Sequence, residues 1–225
     1  MSVIAIVGGT GPQGKGLGYR FALAGNEVVV GSRSAERAEP VAAEIAERIG
    51  AGAKVTGADN ETAIKGADMV LLAIPFDGHD ELVTSLAPVL DGKIVISCVN
   101  PLGFDKQGSF GLDMANSSAA EHAAQILPNS AVIGAFHHLS ALNLWEGSSP
   151  LSHEDVLVCG DDADAKALVM ELAASVTGRP GINAGRLRLA RQLEPLTAVL
   201  ISINRRYKTR SGISISGIPE PTEAS

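Results

Sequence analysis

Val3-Ile4-Ala5-Ile6-Val7-Gly8-Gly9-Thr10-Gly11-Pro12-Gln13-Gly14 is the stretch that decides the fold. Unbroken apolar residues from Val3 to Val7 suit a strand buried on both faces. The strand runs directly into Gly9, Gly11 and Gly14, which fill the G-x-G-x-x-G spacing. Each glycine has a physical task. The first makes the tight turn out of the strand, the second lets a pyrophosphate approach the backbone, and the third lets the next helix pack close to the strand. Free N–H groups at the start of that helix, and the positive end of its dipole, then favour phosphate. Glycine turns are common, but a strand before this one and a helical pattern after it supply the context that dinucleotide binding requires.

The second predicted strand, Glu27–Gly31, chooses between the two common dinucleotides. Folds that bind NAD place a carboxylate at its end to accept from the ribose 2′-hydroxyl. This sequence places Gly31-Ser32-Arg33 there, with Arg37 one helical turn on. Ser32 can donate to a 2′-phosphate, Arg33 can grip it with its planar fork, and Thr10 can add a hydroxyl from the turn. Two solvated arginines at a helix start would be the plainer explanation, but cations there oppose the helix dipole. NADP(H) is the expected cofactor.

Outward from this unit, strand and helix signals alternate. Helices are expected at Gly14–Ala24, Ala35–Ile49 (closed by Gly50), Glu61–Lys65, His79–Leu90 and Ser117–Leu127. Strands are expected at Lys54–Thr56, Met69–Ile74, Lys93–Cys98 and Ala131–Ala135. Apolar strands alternating with helices call for an α/β fold, a Rossmann-type doubly wound parallel sheet. Gly103–Asn116 has no period and reads as a long loop at the carboxyl edge of the sheet, where such folds bind ligands. After residue 140 the pattern changes. A strand at Asp155–Gly160, a helix at Ala163–Val176 and a long apolar helix at Leu187–Tyr207, interrupted by Pro195, read as a small C-terminal α/β lobe packed on the sheet. The expected division is therefore an NADP-binding domain over 1–140 and a smaller lobe over 141–225. The tail Pro219–Ser225 is expected to fray.

Bulk composition narrows the function further. The 225 residues are 45% hydrophobic and 19% charged, ordinary for a globular protein. A net charge of −7 argues against a nucleic-acid partner. No apolar run is long enough to cross a membrane. Cys98 and Cys159 show no metal or redox spacing and read as buried thiols in a reduced cytoplasm.

The sequence resembles the F420-dependent NADP oxidoreductases, also called NADPH-dependent F420 reductases. The resemblance is carried by Gly8-Gly9-Thr10-Gly11, Gly14-Lys15-Gly16-Leu17, Val29-Val30-Gly31-Ser32-Arg33, Ala73-Ile74-Pro75, Ala135-Phe136-His137, Val158-Cys159-Gly160-Asp161-Asp162, Glu194-Pro195-Leu196-Thr197 and Gly212-Ile213. It covers nearly the whole chain, and implies hydride transfer between NADP(H) and the 5-deazaflavin coenzyme F420. By position it implies that Gly9, Thr10, Gly11, Pro12, Gln13, Gly14, Ser32, Arg33 and Arg37 hold the adenosine phosphates. Ile74, Phe76, Asn100 and Ala141 would line the nicotinamide side, and His137, Leu139, Ser211 and Gly212 the deazaflavin side. It also implies a homodimer with the C-terminal lobe at the interface. The chain departs from the family pattern at Pro12-Gln13, Phe76, His138 and Ser140, and its segment Arg205–Ser211 is more basic.

Hydride transfer between two carriers asks mainly for positioning and exclusion of water, so no obligatory catalytic side chain and no metal is expected. His137 has two open readings: a pocket wall that orients the deazaflavin or relays its proton, or a strand-end histidine with a structural partner. His138 reads as structural, because adjacent residues of an extended segment face opposite sides. Asp161, Asp162 and Asp164 read as caps of the following helix. Trp145 reads as a packing residue. The basic run Arg205, Arg206, Lys208 and Arg210 suits either a helix C-terminus or an anionic cofactor tail. The rival functions are an NADPH-dependent reductase of another acceptor (an imine, a ketone, or ferric iron through a flavin) and a non-catalytic NADP(H) sensor.

Overall fold

Val3–Val7 forms strand β1, and its alternate residues face two separate cores: Ile4 and Ile6 one, Ala5 and Val7 the other. That arrangement explains the continuous apolar run. The computed structural model describes residues 2–218, so the tail Pro219–Ser225 lies outside the described residues. The order is β1, α1 (Pro12–Leu23), β2 (Glu27–Ser32), α2 (Ala35–Ile49), β3 (Val55–Asp59), α3 (Asn60–Lys65), β4 (Met69–Leu72), α4 (His79–Leu90) and β5 (Ile94–Ser97). There follow β6 (Leu102–Asp105), β7 (Gly108–Gly111), α5 (Ala119–Ile126), β8 (Ala131–Gly134), α6 (Ala141–Glu146), β9 (Leu157–Gly160), α7 (Ala163–Thr177), β10 (Ile182–Gly185) and α8 (Ala190–Tyr207).

The main sheet has eight strands in the order β10-β9-β8-β5-β4-β1-β2-β3. All neighbours are parallel except β8 and β9. The strand order reverses between β1 and β4, which opens the crevice where a doubly wound sheet takes its ligand. One face is covered by α1, α2, α6 and α7 around Leu17, Ile45, Leu144 and Val169. The other is covered by α3, α4, α5 and the start of α8 around Ile64, Val83, Ala120 and Leu193.

Several expectations need correction. Gly103–Asn116 is not structureless, because β6 and β7 pair as an antiparallel hairpin. The Asp105 carboxylate accepts from the N–H groups of Gln107 and Gly108 at 2.7 and 3.1 Å, closing the turn. Pro195 does not interrupt the last helix, since α8 runs through it. Proline removes one donor near the start of the helix, and its ring lies where a side chain at Gly111 of β7 would stand. Beyond residue 140 the chain joins the main sheet: β9 pairs with β8, and β10 with β9. The C-terminal part thus shares the sheet and packs α8 against β7 and α5.

Candidate active site

The turn after β1 is shaped by its own packing at Gly8, Gly9 and Gly14 and is open at Gly11. Gly8 has φ +75, a conformation that favours glycine. A Cβ on Gly14 would stand 2.8 Å from the Gly9 Cα, so α1 can approach β1 only with glycine there. A Cβ on Gly11 would meet nothing nearer than the Gly8 carbonyl at 3.5 Å, and its φ is −75. The protein itself therefore does not demand glycine at position 11. A ligand against the backbone would, so the residues present fit a bound pyrophosphate. The helix start agrees: Pro12 opens α1, no side chain caps it, and its first turn carries no acid.

At the end of β2, Ser32 is buried, while Arg33 and Arg37 are exposed and form no ion pair among the described residues. Both guanidiniums are free to meet a phosphate. A carboxylate does stand close by: Asp59 of β3 is in register with Ser32. It is committed to the start of α3, accepting from Thr62 N–H at 3.0 Å, and the Thr62 hydrogen bonds lower its pKa.

A cavity of about 450 Å³ begins at Gly11, Pro12 and Gln13 and crosses the carboxyl ends of β4, β5 and β8 to α8. It brings together Ile74, Asn100, His137, Leu139 and Ser211 with Gly11, Pro12 and Gln13 of the glycine turn. Phe76, Ala141 and Gly212 are not on its wall. Phe76 stacks on His79 with ring centres 6.1 Å apart, Ala141 opens α6 with its carbonyl against Gly16, and Gly212 packs on the Glu154 side chain. Thr10 and Gly9 lie on the turn outside the cavity. Sequence reading assigned no role to Thr197, Leu200, Ile201 and Asn204, which line the opposite wall. Their signal is present as the three- and four-residue spacing of one helix face.

The segment after β8 is held under constraint. Phe136 has φ +64, unusual for a bulky residue, while its ring packs edge-on against Phe21 with centres 5.6 Å apart. Gln13 Nε2 donates to the Phe136 carbonyl at 3.3 Å, joining the glycine turn to this segment. The next carbonyl, of His137, accepts from Asn100 Nδ2 at 3.0 Å and Thr197 Oγ1 at 3.1 Å. The His137 ring is enclosed and neither nitrogen has a partner. Burial, with a smaller contribution from His138, pushes its pKa down to about 3, so the ring is neutral near pH 7. His138 Nε2 lies 2.6 Å from the Leu193 carbonyl of α8, yet the two histidines do not face opposite sides: both line the cavity, with ring centres 5.9 Å apart.

Other side chains have plainer tasks. Buried Arg20, which sequence reading missed, donates to the carbonyls of Leu144, Ser149 and Asn143 at 2.7, 2.6 and 2.8 Å and so fixes α6. Asp162 caps α7 through Ala165 N–H at 2.8 Å. Trp145 packs edge-on against Tyr19 under Lys15 and Arg48. Cys98 borders the cavity as a buried thiol whose pKa burial pushes up to about 12, and Cys159 is likewise free and buried. Among the described residues no cluster could hold a metal ion, and no helix is long and apolar enough to cross a membrane.

Comparison with known proteins agrees with this geometry. Residues 3–101 match the family model described as NADP oxidoreductase coenzyme F420-dependent. The chain is 39% identical over 223 residues to an F420-dependent NADP reductase of Methanothermobacter thermautotrophicus, covering 96% of each chain. It is 36% identical over 222 residues to the F420-dependent NADP reductase of Methanocaldococcus jannaschii, covering 96% of this chain and 98% of that one. A crystal structure of a putative F420-dependent NADP reductase from Arthrobacter sp. FB24 superposes with a TM-score of 0.80 at 26% identity, covering 95% of this chain and 99% of the other. The chain belongs to the F420-dependent NADP oxidoreductase family.

Proposed function

We propose that this protein transfers a hydride between NADP(H) and coenzyme F420. One observation carries the reading: the open glycine turn leads directly into a single cavity walled by Ile74, Leu139, Leu200 and Ile201. The two carriers supply the reactive carbons and the electronics. The chain supplies binding, orientation and dryness. Gly9–Gly14 receives the pyrophosphate, and Ser32, Arg33 and Arg37 take the 2′-phosphate. Ile74 and Asn100 line the nicotinamide side, with Phe76 and Ala141 near it in the chain. His137, Leu139 and Ser211 line the deazaflavin side, supported by Gly212. Residues 1–140 thus hold NADP(H), and 141–225 complete the second carrier's pocket.

The titratable groups on the wall are Cys98, His137 and His138, and the thiol and both imidazoles are kept uncharged near pH 7 by burial. Reduction of an imine or ketone usually calls for an acid beside the nicotinamide. This wall has no carboxylate, lysine or tyrosine, which favours a carrier-to-carrier hydride transfer. A homodimer in the cytoplasm is the proposed working form. Its support is the exposed Phe104, Phe110 and Val199 on the hairpin and α8, and the two free, buried thiols. Sedimentation at micromolar concentration tests the dimer.

The decisive experiment mixes the protein, NADPH and oxidised F420 and follows loss of the oxidised chromophore. Absence of NADPH-dependent bleaching rejects the proposal. Tight binding of both nicotinamide redox forms without turnover of any acceptor would point to a sensor instead.

A further inference from the structure

Beyond the C-cap of α8 at Lys208, residues 209–215 run as a strap with neither helix nor strand. The strap is pinned on both sides of one residue. Before it, Ser211 donates from its N–H and its hydroxyl to Asn204 Oδ1 at 2.6 and 2.8 Å. After it, the Ile213 carbonyl accepts from Asp155 N–H at 2.6 Å, and Ile215 N–H donates to Asp155 Oδ2 at 2.7 Å. Ser211 is the strap residue that lines the cavity.

The residue between these anchors is Gly212. Its φ is outside the left-handed region, so the backbone there does not call for glycine. Its neighbour does: a Cβ on Gly212 would overlap the carboxyl group of Glu154. Glu154 is buried, with Oε1 accepting from Asn143 Nδ2 of α6 at 3.5 Å and Oε2 enclosed without a partner among the described residues. Burial raises its pKa, while the Asn143 hydrogen bond and nearby Arg20 pull the other way. An enclosed carboxyl with an unpaired oxygen is unfavourable for folding, so its presence asks for a reason outside stability. Helix α6 joins the same assembly twice, because Asn143 holds Glu154 and Glu146 pairs with Arg210 of the strap.

We propose that Glu154 is a positioning residue for the second hydride carrier: its carboxyl is the seat on which Gly212 rests, and that seat sets where Ser211 stands in the cavity wall. This inference rests on the F420 reading of the cavity and assigns the placement of a wall residue to a side chain outside the wall. Gly212 follows Ser211 directly, and both Ser211 donors share one acceptor, so a displaced Gly212 draws both off Asn204 together. Misplacing a wall residue weakens binding of the carrier beside it and spares the dinucleotide at the glycine turn.

The test is a cycle between the two positions, read by steady-state kinetics with NADPH and F420 and by hydrogen exchange at the Ser211 and Ile215 amides. In Gly212→Ala the KM for F420 rises roughly tenfold, the KM for NADPH stays within about twofold, and both amides exchange faster. Adding Glu154→Ala vacates the space that the methyl needs, and returns the F420 KM to within about threefold of the parent's and exchange toward the parental rate. Glu154→Gln keeps the shape of the seat and the parental KM. Failure of the double variant to recover overturns the proposal, as does an equal rise in KM for both cofactors or a large rise in Glu154→Gln. A parent protein that leaves F420 unbleached rejects the carrier assignment instead, and the exchange rates across the cycle still decide whether Glu154 seats the strap.

Discussion

The hydroxyl of Thr197 donates to the main-chain carbonyl of His137 at 3.1 Å, tying α8 to the residue that follows the strained Phe136. In the opposite sense, His138 Nε2 lies 2.6 Å from the Leu193 carbonyl of the same helix. The two walls of the cavity are therefore coupled by a pair of hydrogen bonds, both just C-terminal to Phe136, whose φ is unusual.

Removing that hydroxyl should loosen the wall without emptying the site. Thr197→Val keeps the shape and deletes the donor, and Asn100 still holds the same carbonyl. A neutral hydrogen bond contributes about 1 kcal/mol, so kcat should fall roughly fivefold with little change in KM for NADPH. Thr197→Ser should restore most of the rate. Steady-state kinetics with NADPH and F420 check this; equal rates for all three proteins would remove Thr197 from any positioning role.

The glycine turn yields a contrast between two substitutions of the same size. Gly11→Ala meets only one ordinary contact, so its melting temperature should stay near the parent's. Its added methyl occupies the pyrophosphate's approach, and NADPH affinity should fall at least tenfold. Gly14→Ala drives a methyl into the backbone of the turn at 2.8 Å and should lower the melting temperature by several degrees. Thermal scans and titration calorimetry together decide it. Loss of folding in Gly11→Ala would show that its open side is illusory.

Discrimination between the two dinucleotides should rest on the end of β2. A charged hydrogen bond to phosphate is worth roughly 1.5–3 kcal/mol, so Arg33→Ala should weaken NADPH about ten- to hundredfold and leave NADH almost unaffected. Ser32→Asp should act in the same direction by repulsion. Calorimetry with each dinucleotide reads the difference, and equal losses for both would make Arg33 a structural residue.

Glu194 of α8 is buried, and its carboxylate accepts from the N–H groups of Ala119 and Ala120 at 2.8 and 3.0 Å. Burial pushes its pKa up to about 7, aided by nearby Glu121, while the two N–H groups pull the other way. The folded pKa exceeds the ordinary value of 4.5, so the folded state holds a proton that the unfolded chain releases. Its stabilising contribution is present below the ordinary value and is lost as pH rises through about 7. The difference is on the order of 3 kcal/mol. Urea unfolding from pH 5 to 8 should show a steeper decline for the parent than for Glu194→Gln. Parallel declines would place the titration elsewhere.

Local chemistry made the dinucleotide end legible. Val3–Val7, the glycine spacing and Ser32-Arg33 are neighbours in the chain, so their roles follow from strand burial, backbone clearance and charge alone. The helices Ala35–Ile49 and His79–Leu90 were readable for the same reason, because helix bounds are set within a few residues. Elsewhere the governing contacts join distant residues. The hairpin at Leu102–Gly111 depends on Asp105 closing its turn and on Ser109 donating to Ala198 at 2.9 Å, which no periodicity announces. β9 and β10 pair with the main sheet, and pairing leaves no mark on a strand's own sequence. Whether Asp59 opposes or spares a phosphate depended on its commitment to α3, and whether His137 is an acid or a neutral wall depended on how completely the fold encloses it. The amino-acid order by itself determined the fold class and the open glycine turn, since both are written in short-range spacing. The tertiary structure decided the rest of the cavity, because Asn100, His137, Thr197 and Ser211 meet only when α8 packs against the segment that follows β8.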